Sequence, residues 1–395
     1  MQPVEMAPGV YWTGALDPQL RTFDVIMHAE HGTSYNSYLV QGSKSCALLE
    51  TVKVKFADSF IENLSTLVDP LSIEYLIVNH TEPDHTGSLR RLLDEIPSIK
   101  IVAAKNTVPF IRGILNEDVD VMVVKDGDTI DLGGKTLTFF EAPFLHWPDT
   151  MFTYVVEDEI LFPCDFLGSH YADEKLFADL LDDFSFSRKY YFDHIFRPFK
   201  DFVNRGLDKI KDLPIKMVGP SHGPLLRKDI DKYLDEYREW AAPVAKGDKP
   251  KLMIFYASSY GNTLKLAENL ADGARENGVD VVIFDLEVYE PGVLLDEVEK
   301  ADGIAVGSCT INGDAVKPVW NFLSSLATLK LRGKVGAAFG SYGWSGEAVK
   351  MIEDRLKGIK FKVPAEGVRA HLVPSKDELG KAKELGVALA KALVP

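Results

Sequence analysis

The densest chemistry in this sequence lies in Ile77-Val-Asn-His80-Thr-Glu82-Pro-Asp84-His85, where four potential metal ligands fall within six residues. An apolar run that reads as a strand delivers the chain to this segment. The proline and small residues between the ligands argue against a helix there. A tight loop can turn several side chains toward one centre, which a regular strand cannot easily do. Three further candidates follow apolar runs in the same way: His146 in Phe144-Leu-His-Trp-Pro-Asp149, Asp165 in Leu161-Phe-Pro-Cys-Asp165, and His222 in Val218-Gly-Pro-Ser-His-Gly223. Taken singly, a His or Asp after a strand reads as a turn or cap residue. Beside a four-ligand segment, the group reads as a metal site. Four imidazoles, three carboxylates and no thiolate suit two irons cycling between ferrous and ferric better than two zincs.

A second chemistry begins at residue 252. The strand-like run Leu252–Tyr256 leads into Ala257-Ser-Ser-Tyr-Gly-Asn-Thr263, after which a helical pattern starts. Hydroxyls, a Gly and the free N–H groups of a helix start suit one terminal phosphate, although a serine-rich turn capping a helix looks similar. No GxGxxG is present, so the pyrophosphate of NAD or FAD is not indicated. Two more Gly-bearing loops, Gly307–Gly313 and Gly340–Gly346, follow later strands and belong at the same carboxyl edge of a sheet. One phosphate cradle flanked by two loops that can hold a flat ring resembles flavodoxin and its FMN. On that resemblance Ser258, Ser259, Tyr260, Gly261, Asn262 and Thr263 match the phosphate loop. Thr310, Asn312, Gly313, Ser341, Tyr342, Gly343 and Trp344 match the ring-contacting loops. Cys309 stands where a Pro is expected.

The elements that must carry these groups divide in two. At 395 residues the chain has room for two or three domains. The segment Lys232–Trp240 reads as a last amphipathic helix, and Ala241–Pro250 is rich in helix-stopping and linker residues. The expected domains are 1–248 and 249–395. In the second, short unalternating apolar runs (Leu252–Tyr256, Val279–Phe284, Gly303–Gly307, Val335–Gly340) alternate with helical patterns, as in a doubly wound parallel sheet. In the first, strands at Val10–Thr13, Ser37–Val40 and Ala47–Leu49 come before strand–helix pairs. Further strands are expected at Leu76–Val78, Ile101–Ala104, Val121–Val124, Leu137–Phe140 and Ile160–Phe162. Two sheets with outer helices, an α/β sandwich, fit this better than one sheet.

Composition narrows the partners. Forty-four basic against 59 acidic residues give a formal charge of −15, which a nucleic-acid backbone or an anionic membrane would repel. Three separated cysteines exclude a disulfide framework and any CxxC knuckle. MQPVEMAPGV has neither a basic leader nor an apolar stretch, and no run reaches about 18 apolar residues. The expectation is a cytoplasmic protein.

The order His80-x-Glu82-x-Asp84-His85, then His146, Asp165 and His222 after later strands, resembles the metallo-β-lactamase fold. Zinc hydrolases of that fold carry a second His where this chain has Glu82. That difference, with His146-Trp-Pro-Asp149 and Ser221-His-Gly, resembles the flavodiiron proteins, whose αββα diiron domain precedes a flavodoxin domain. The resemblance covers residues 8–390. It implies that His80, Glu82 and His146 hold one iron, that Asp84, His85 and His222 hold the other, and that Asp165 bridges them. It implies reduction of dioxygen to water, or of nitric oxide to nitrous oxide, with electrons passing through FMN. His170 and Tyr191 resemble positions lining the substrate pocket, where they would supply hydrogen bonds, though each also reads as a packed or helix-surface residue. Cys164 differs from the Asn or Ser expected there and reads as a small buried filler. His28, His31, His194 and His371 lack comparable settings.

No rubredoxin-like pair of knuckles and no NAD-binding domain follow. The resemblance therefore implies an external donor, rubredoxin or the reduced deazaflavin F420. It also implies a head-to-tail homodimer, or a tetramer, in which the flavin of one subunit serves the irons of the other. Two rival readings stand beside this one. One is a zinc hydrolase with an appended flavodoxin, and the other an electron carrier whose metal domain is structural.

Overall fold

Period-two alternation in the first half sends successive apolar side chains to two different cores. Leu39, Leu48, Leu76 and Leu161 pack into one, while Val40, Leu49, Ile77 and Phe162 pack into the other. Sheets buried on both faces must stack, and the computed structural model contains the stack. It describes residues 1–245, 247–289 and 291–394, so Lys246 of the expected linker lies outside the described residues. One unit runs from Met1 to Ala242 and a second from Pro243 onward.

The first unit holds a seven-stranded sheet, in spatial order Val4–Ala7, Val10–Trp12, Tyr38–Gln41, Cys46–Leu49, Ile73–Val78, Lys100–Ala104, Val121–Val124. A five-stranded sheet, Thr129–Asp131, Thr136–Glu141, Met151–Val155, Ile160–Phe162, Met217–Val218, faces it. Trp12, Tyr38 and Val102 of the first meet Phe139, Met151 and Phe162 of the second in the middle layer. The other core gathers helix residues such as Phe60, Leu64, Leu92, Ile111, Val203 and Leu207 with the outward strand residues. This is the expected αββα sandwich.

In the second unit five parallel strands stand in the order Asp280–Asp285, Lys251–Ala257, Gly303–Ile311, Val335–Tyr342, Val368–His371, with the short Asp314–Ala315 antiparallel beside the third. In chain order that is 2-1-3-4-5, the flavodoxin-like doubly wound arrangement. Helices Asn262–Arg275 and Lys376–Leu393 cover one face, and Pro291–Lys300, Lys317–Ser325 and Glu347–Gly358 the other. The first pair approaches closely because a Cβ on Gly273 would lie 2.0 Å from the Lys383 carbonyl, and one on Gly386 2.0 Å from that of Leu270. The strand Val368–His371 is absent from the sequence expectations; four residues with two exposed ones give little apolar signal. None of the described helices is long and apolar enough to cross a membrane.

Candidate functional site

The strand Ile73–Val78 delivers Asn79, whose N–H donates to Glu50 Oε1 at 2.7 Å and whose Oδ1 accepts from Thr153 Oγ1 at 2.7 Å. From this fixed point the chain enters the ligand segment, and here one expectation is corrected. Pro83–Thr86 is a single helical turn, not an open loop. Pro83 starts it instead of preventing it, because a first helical residue has no intrahelical N–H bond to lose. The Glu82 carbonyl accepts from the N–H groups of His85 and Thr86 at 2.9 and 3.1 Å. Asp84 and His85 thereby leave one turn toward the same centre as His80 and Glu82, while the Thr51 hydroxyl donates to the His85 carbonyl at 2.6 Å.

All seven sequence-derived ligands converge. Asp165 sits among them, and its two oxygens face different groups. Oδ2 lies 3.6 Å from His80 Nε2 and 3.5 Å from His146 Nε2, and both imidazoles approach Glu82 Oε2, at 3.4 and 3.1 Å. Oδ1 lies 3.3 Å from both His85 Nε2 and His222 Nε2, which approach Asp84 at 3.5 and 3.0 Å. Two sets of ligand atoms therefore share one carboxylate. His80, Glu82, His85 and Asp165, and separately Asp84, His85 and His222, bring ligand atoms within 4.8 Å of one another. Both oxygens of Asp84, Nε2 of His85 and Oδ2 of Asp165 are buried without a hydrogen-bond partner. Uncompensated buried polar atoms are costly, and cations between the two sets would complete them. The residues fit two metal ions.

Electrostatics agree. Burial opposes charge on His80 and His146, but the neighbouring carboxylates outweigh it and raise both to about 10. Burial likewise opposes ionisation of Asp165, yet the surrounding imidazoles hold it well below the carboxylate range. Without metal, protons take the place of positive charge in this cage.

The far sides of two ligands are pinned. His80 Nδ1 meets Asp149 Oδ1 at 3.1 Å, and Asp149 Oδ2 accepts from the N–H and hydroxyl of Thr81 at 2.8 and 2.6 Å. His222 Nδ1 donates to the Ser34 carbonyl at 2.6 Å. Such bonds fix the tautomer that leaves Nε2 bare for a metal. Of the pocket candidates, Tyr191 is buried and donates to Asp165 Oδ1 at 3.1 Å. His170 is buried with Nδ1 3.0 Å from Thr33 Oγ1, its Nε2 is unpartnered, and burial pushes it well below its ordinary value. The Phe23 ring closes over it, centroids 4.0 Å apart. Cys164 is buried and its thiol pushed up by burial. Asp149 was legible only as part of a motif. Glu50, buried with Oε2 unpartnered and pushed up to about 8, had no sequence signal beyond its strand end.

In the second unit Gly261, at φ 72°, ends the loop Ser258–Gly261 and is the N-cap of the helix Asn262–Arg275, so the cap position has no side chain and the first turn no acid. That leaves a positive helix end free for an anion. Thr263 is buried; its N–H donates to Ser258 Oγ at 3.2 Å, and its hydroxyl bonds Ser341 Oγ at 2.9 Å, joining the first loop to the third. Ser259 Oγ lies 3.5 Å from Cys309 Sγ. The expected second loop is a correction: Gly303–Ile311 is one strand that includes Cys309 and Thr310, and Asn312-Gly313, at φ 53° and 73°, is the turn of a hairpin with Asp314–Ala315. Likewise Ser341 and Tyr342 end a strand, leaving Gly343–Gly346 as the loop. Tyr260, 91% exposed, and Trp344, 80% exposed, stand at this edge, and a Cβ on Gly261 or Gly343 would meet nothing within 4 Å. An open cradle with a phosphate end and aromatic flanks fits FMN. His371, at the end of the neighbouring strand, has its Nε2 2.6 Å from the Gly343 carbonyl.

A model described as ODP family beta lactamase matches residues 33–223, and one described as flavodoxin matches 254–386. The chain is 46% identical to the type A flavoprotein fprA of Rhodobacter capsulatus, over 99% of this chain and 92% of that protein. It is 40% identical to the flavo-diiron protein FprA2 of Clostridium acetobutylicum over the whole of both. The chain belongs to the flavodiiron family. Membership implies FMN and a non-haem diiron centre. The chain is also 37% identical to a nitric oxide reductase of Moorella thermoacetica, over 98% of each. The fold is similar to that of rubredoxin oxygen:oxidoreductase from Desulfovibrio gigas, with TM-score 0.73 and 29% identity over 99% of this chain and 98% of that one.

Proposed function

We propose that this flavodiiron protein reduces dioxygen to water, or nitric oxide to nitrous oxide, at two irons fed by FMN. The observation that carries the reading is Asp165, whose two oxygens face two separate sets of donors. His80, Glu82 and His146 would hold one iron, Asp84, His85 and His222 the other, with Asp165 between them. FMN would lie on Ser258–Thr263, flanked by Thr310–Gly313 and Ser341–Trp344. When bound, two ferrous ions and a reduced flavin supply four electrons, the number that takes dioxygen to water. Around them the chain does the positioning. Asp149 and the Ser34 carbonyl aim His80 and His222. Tyr191 steadies one oxygen of the bridging carboxylate, and His170, kept neutral by burial, has an unpartnered Nε2 that would hydrogen-bond substrate.

Relatives named nitric oxide reductase and rubredoxin oxygen:oxidoreductase support this activity and favour rubredoxin over F420 as the donor. They lend nothing to the zinc-hydrolase or electron-carrier readings. The working unit is a head-to-tail homodimer in the cytoplasm, and the exposure of Tyr260 and Trp344 at the flavin edge supports a partner surface there. The test is anaerobic purification followed by elemental and flavin analysis, then steady-state rates with each gas and each donor. About two irons and one FMN per chain, with turnover of at least one gas, are expected. Zinc in place of iron, with no activity restored by ferrous iron, would overturn the reading.

A further inference from the structure

The turn Gly343-Trp344-Ser345 gains little from packing, with Trp344 exposed and open space beside Gly343. A polar tie reaches it from the neighbouring strand. His371 ends Val368–His371 and pairs in parallel register with Tyr342. Its ring centroid lies 5.4 Å from that of Tyr342, and its Nε2 lies 2.6 Å from the Gly343 carbonyl oxygen. A carbonyl only accepts, so Nε2 carries the proton and donates it. His371 is itself anchored. Its backbone N–H donates to Glu378 Oε1 at 3.0 Å, while Glu378 Oε2 accepts from the N–H and hydroxyl of Ser375 at 2.8 and 2.6 Å. The next residue, Leu372, donates its N–H to the Tyr342 carbonyl at 2.8 Å. The imidazole holds the Gly343 carbonyl, the helix cap holds the backbone of His371, and the strand end holds the adjoining Tyr342 carbonyl.

We propose that His371 is a positioning residue for the flavin: its Nε2–H holds the Gly343 carbonyl and so fixes the Gly343–Trp344 turn in the orientation that receives the isoalloxazine ring. The inference rests on the reading of FMN at these loops. Glycine is the residue whose peptide rotates most freely, so an untied turn samples orientations that the ring cannot use. Ordering it then becomes a cost of binding. A peptide dipole beside the ring also acts differently on oxidised and reduced flavin, because the reduced ring carries more negative charge. Releasing the carbonyl therefore changes affinity unequally for the two states, which is a change in potential.

The test uses full-length protein stripped of FMN and titrated with FMN, followed by redox titration of the reloaded protein. His371→Leu removes the donor; because His371 is exposed, no core cavity opens. The FMN Kd is expected to rise about threefold to tenfold, and the two-electron midpoint to move. A tenfold inequality between the two states corresponds to about 30 mV. His371→Gln, whose amide N–H reaches a similar position, is expected to return both values to within about twofold of the unsubstituted chain. A Leu variant with unchanged Kd and midpoint overturns the proposal. So does a Gln variant as impaired as Leu, since ring packing on Tyr342 would then be the cause. If the unsubstituted chain binds no FMN, it is the functional reading that fails.

Discussion

Asp149→Asn separates the aim of a ligand from its presence. Asp149 is buried, and its two oxygens have distinct tasks: Oδ2 takes both hydrogen bonds of Thr81, and Oδ1 meets His80 Nδ1. An asparagine with its carbonyl toward Thr81 keeps those two bonds, so the His80–His85 segment stays in position. Its NH2 group then faces His80 Nδ1 and cannot accept a proton from it. His80 is driven to the tautomer with the proton on Nε2, the atom directed at Glu82 and Asp165. A hydrogen bond to a charged group contributes about 1.5–3 kcal/mol, and losing such a partner to a metal-bound histidine costs about 10–100-fold in metal affinity. The expected result is an anaerobic chelator competition in which one ferrous ion per chain is weakened by that factor and the other is held nearly as before. The unfolding temperature of the metal-free variant should fall as well, because the Thr81 bonds remain but the buried, protonated His80 loses its charged partner. Two irons held within about threefold of the unsubstituted affinity would refute the reasoning.

Burial pushes Glu50 up to about 8 from an ordinary 4.5, so between those values the folded metal-free chain keeps a proton that the unfolded chain has lost. Stability therefore falls as pH rises through that window. Glu50→Gln should be more stable than the parent by a margin that widens from pH 5 to pH 8, reaching a few kcal/mol at most; a margin independent of pH counts against the assignment. Thr263→Ala should weaken FMN binding by about 1.5–3 kcal/mol, read by flavin fluorescence on denaturation, and recovery of FAD in place of FMN would contradict the loop reading. A His85→Ala subunit mixed with an Asn262→Ala/Thr263→Ala subunit should regain turnover after verified exchange, because a mixed dimer keeps one intact flavin–iron pair. No regained turnover defeats the cross-subunit arrangement.

What the sequence made legible follows from where its signals are local. The ligand set was readable because His80, Glu82, Asp84 and His85 crowd one strand end, and the other three ligands each follow an apolar run. Strands such as Val121–Val124 and Ile160–Phe162 were readable to the residue because both are short apolar runs flanked by turn residues. The helical turn at Pro83–Thr86 was not, since proline breaks helices in their interior and opens them at the first position, and only the fold decides which position it holds. Asn312-Gly313 carried the strongest short hairpin signal available, yet it passed as loop because the strand before it continues through Ser308, Cys309 and Thr310, which lack an apolar pattern. Asp149, Glu50 and His371 share a different obscurity. Each acts on a residue far away in the chain: His80 lies 69 positions from Asp149, and Gly343 lies 28 from His371. Ligands announce themselves by type and spacing, because a metal needs particular atoms close together. The residues that aim those ligands need only one donor or acceptor at the right place, and many side chains or a backbone carbonyl such as that of Ser34 can supply it. Their chemistry is common and their position is set by tertiary packing, so the structure had to come first.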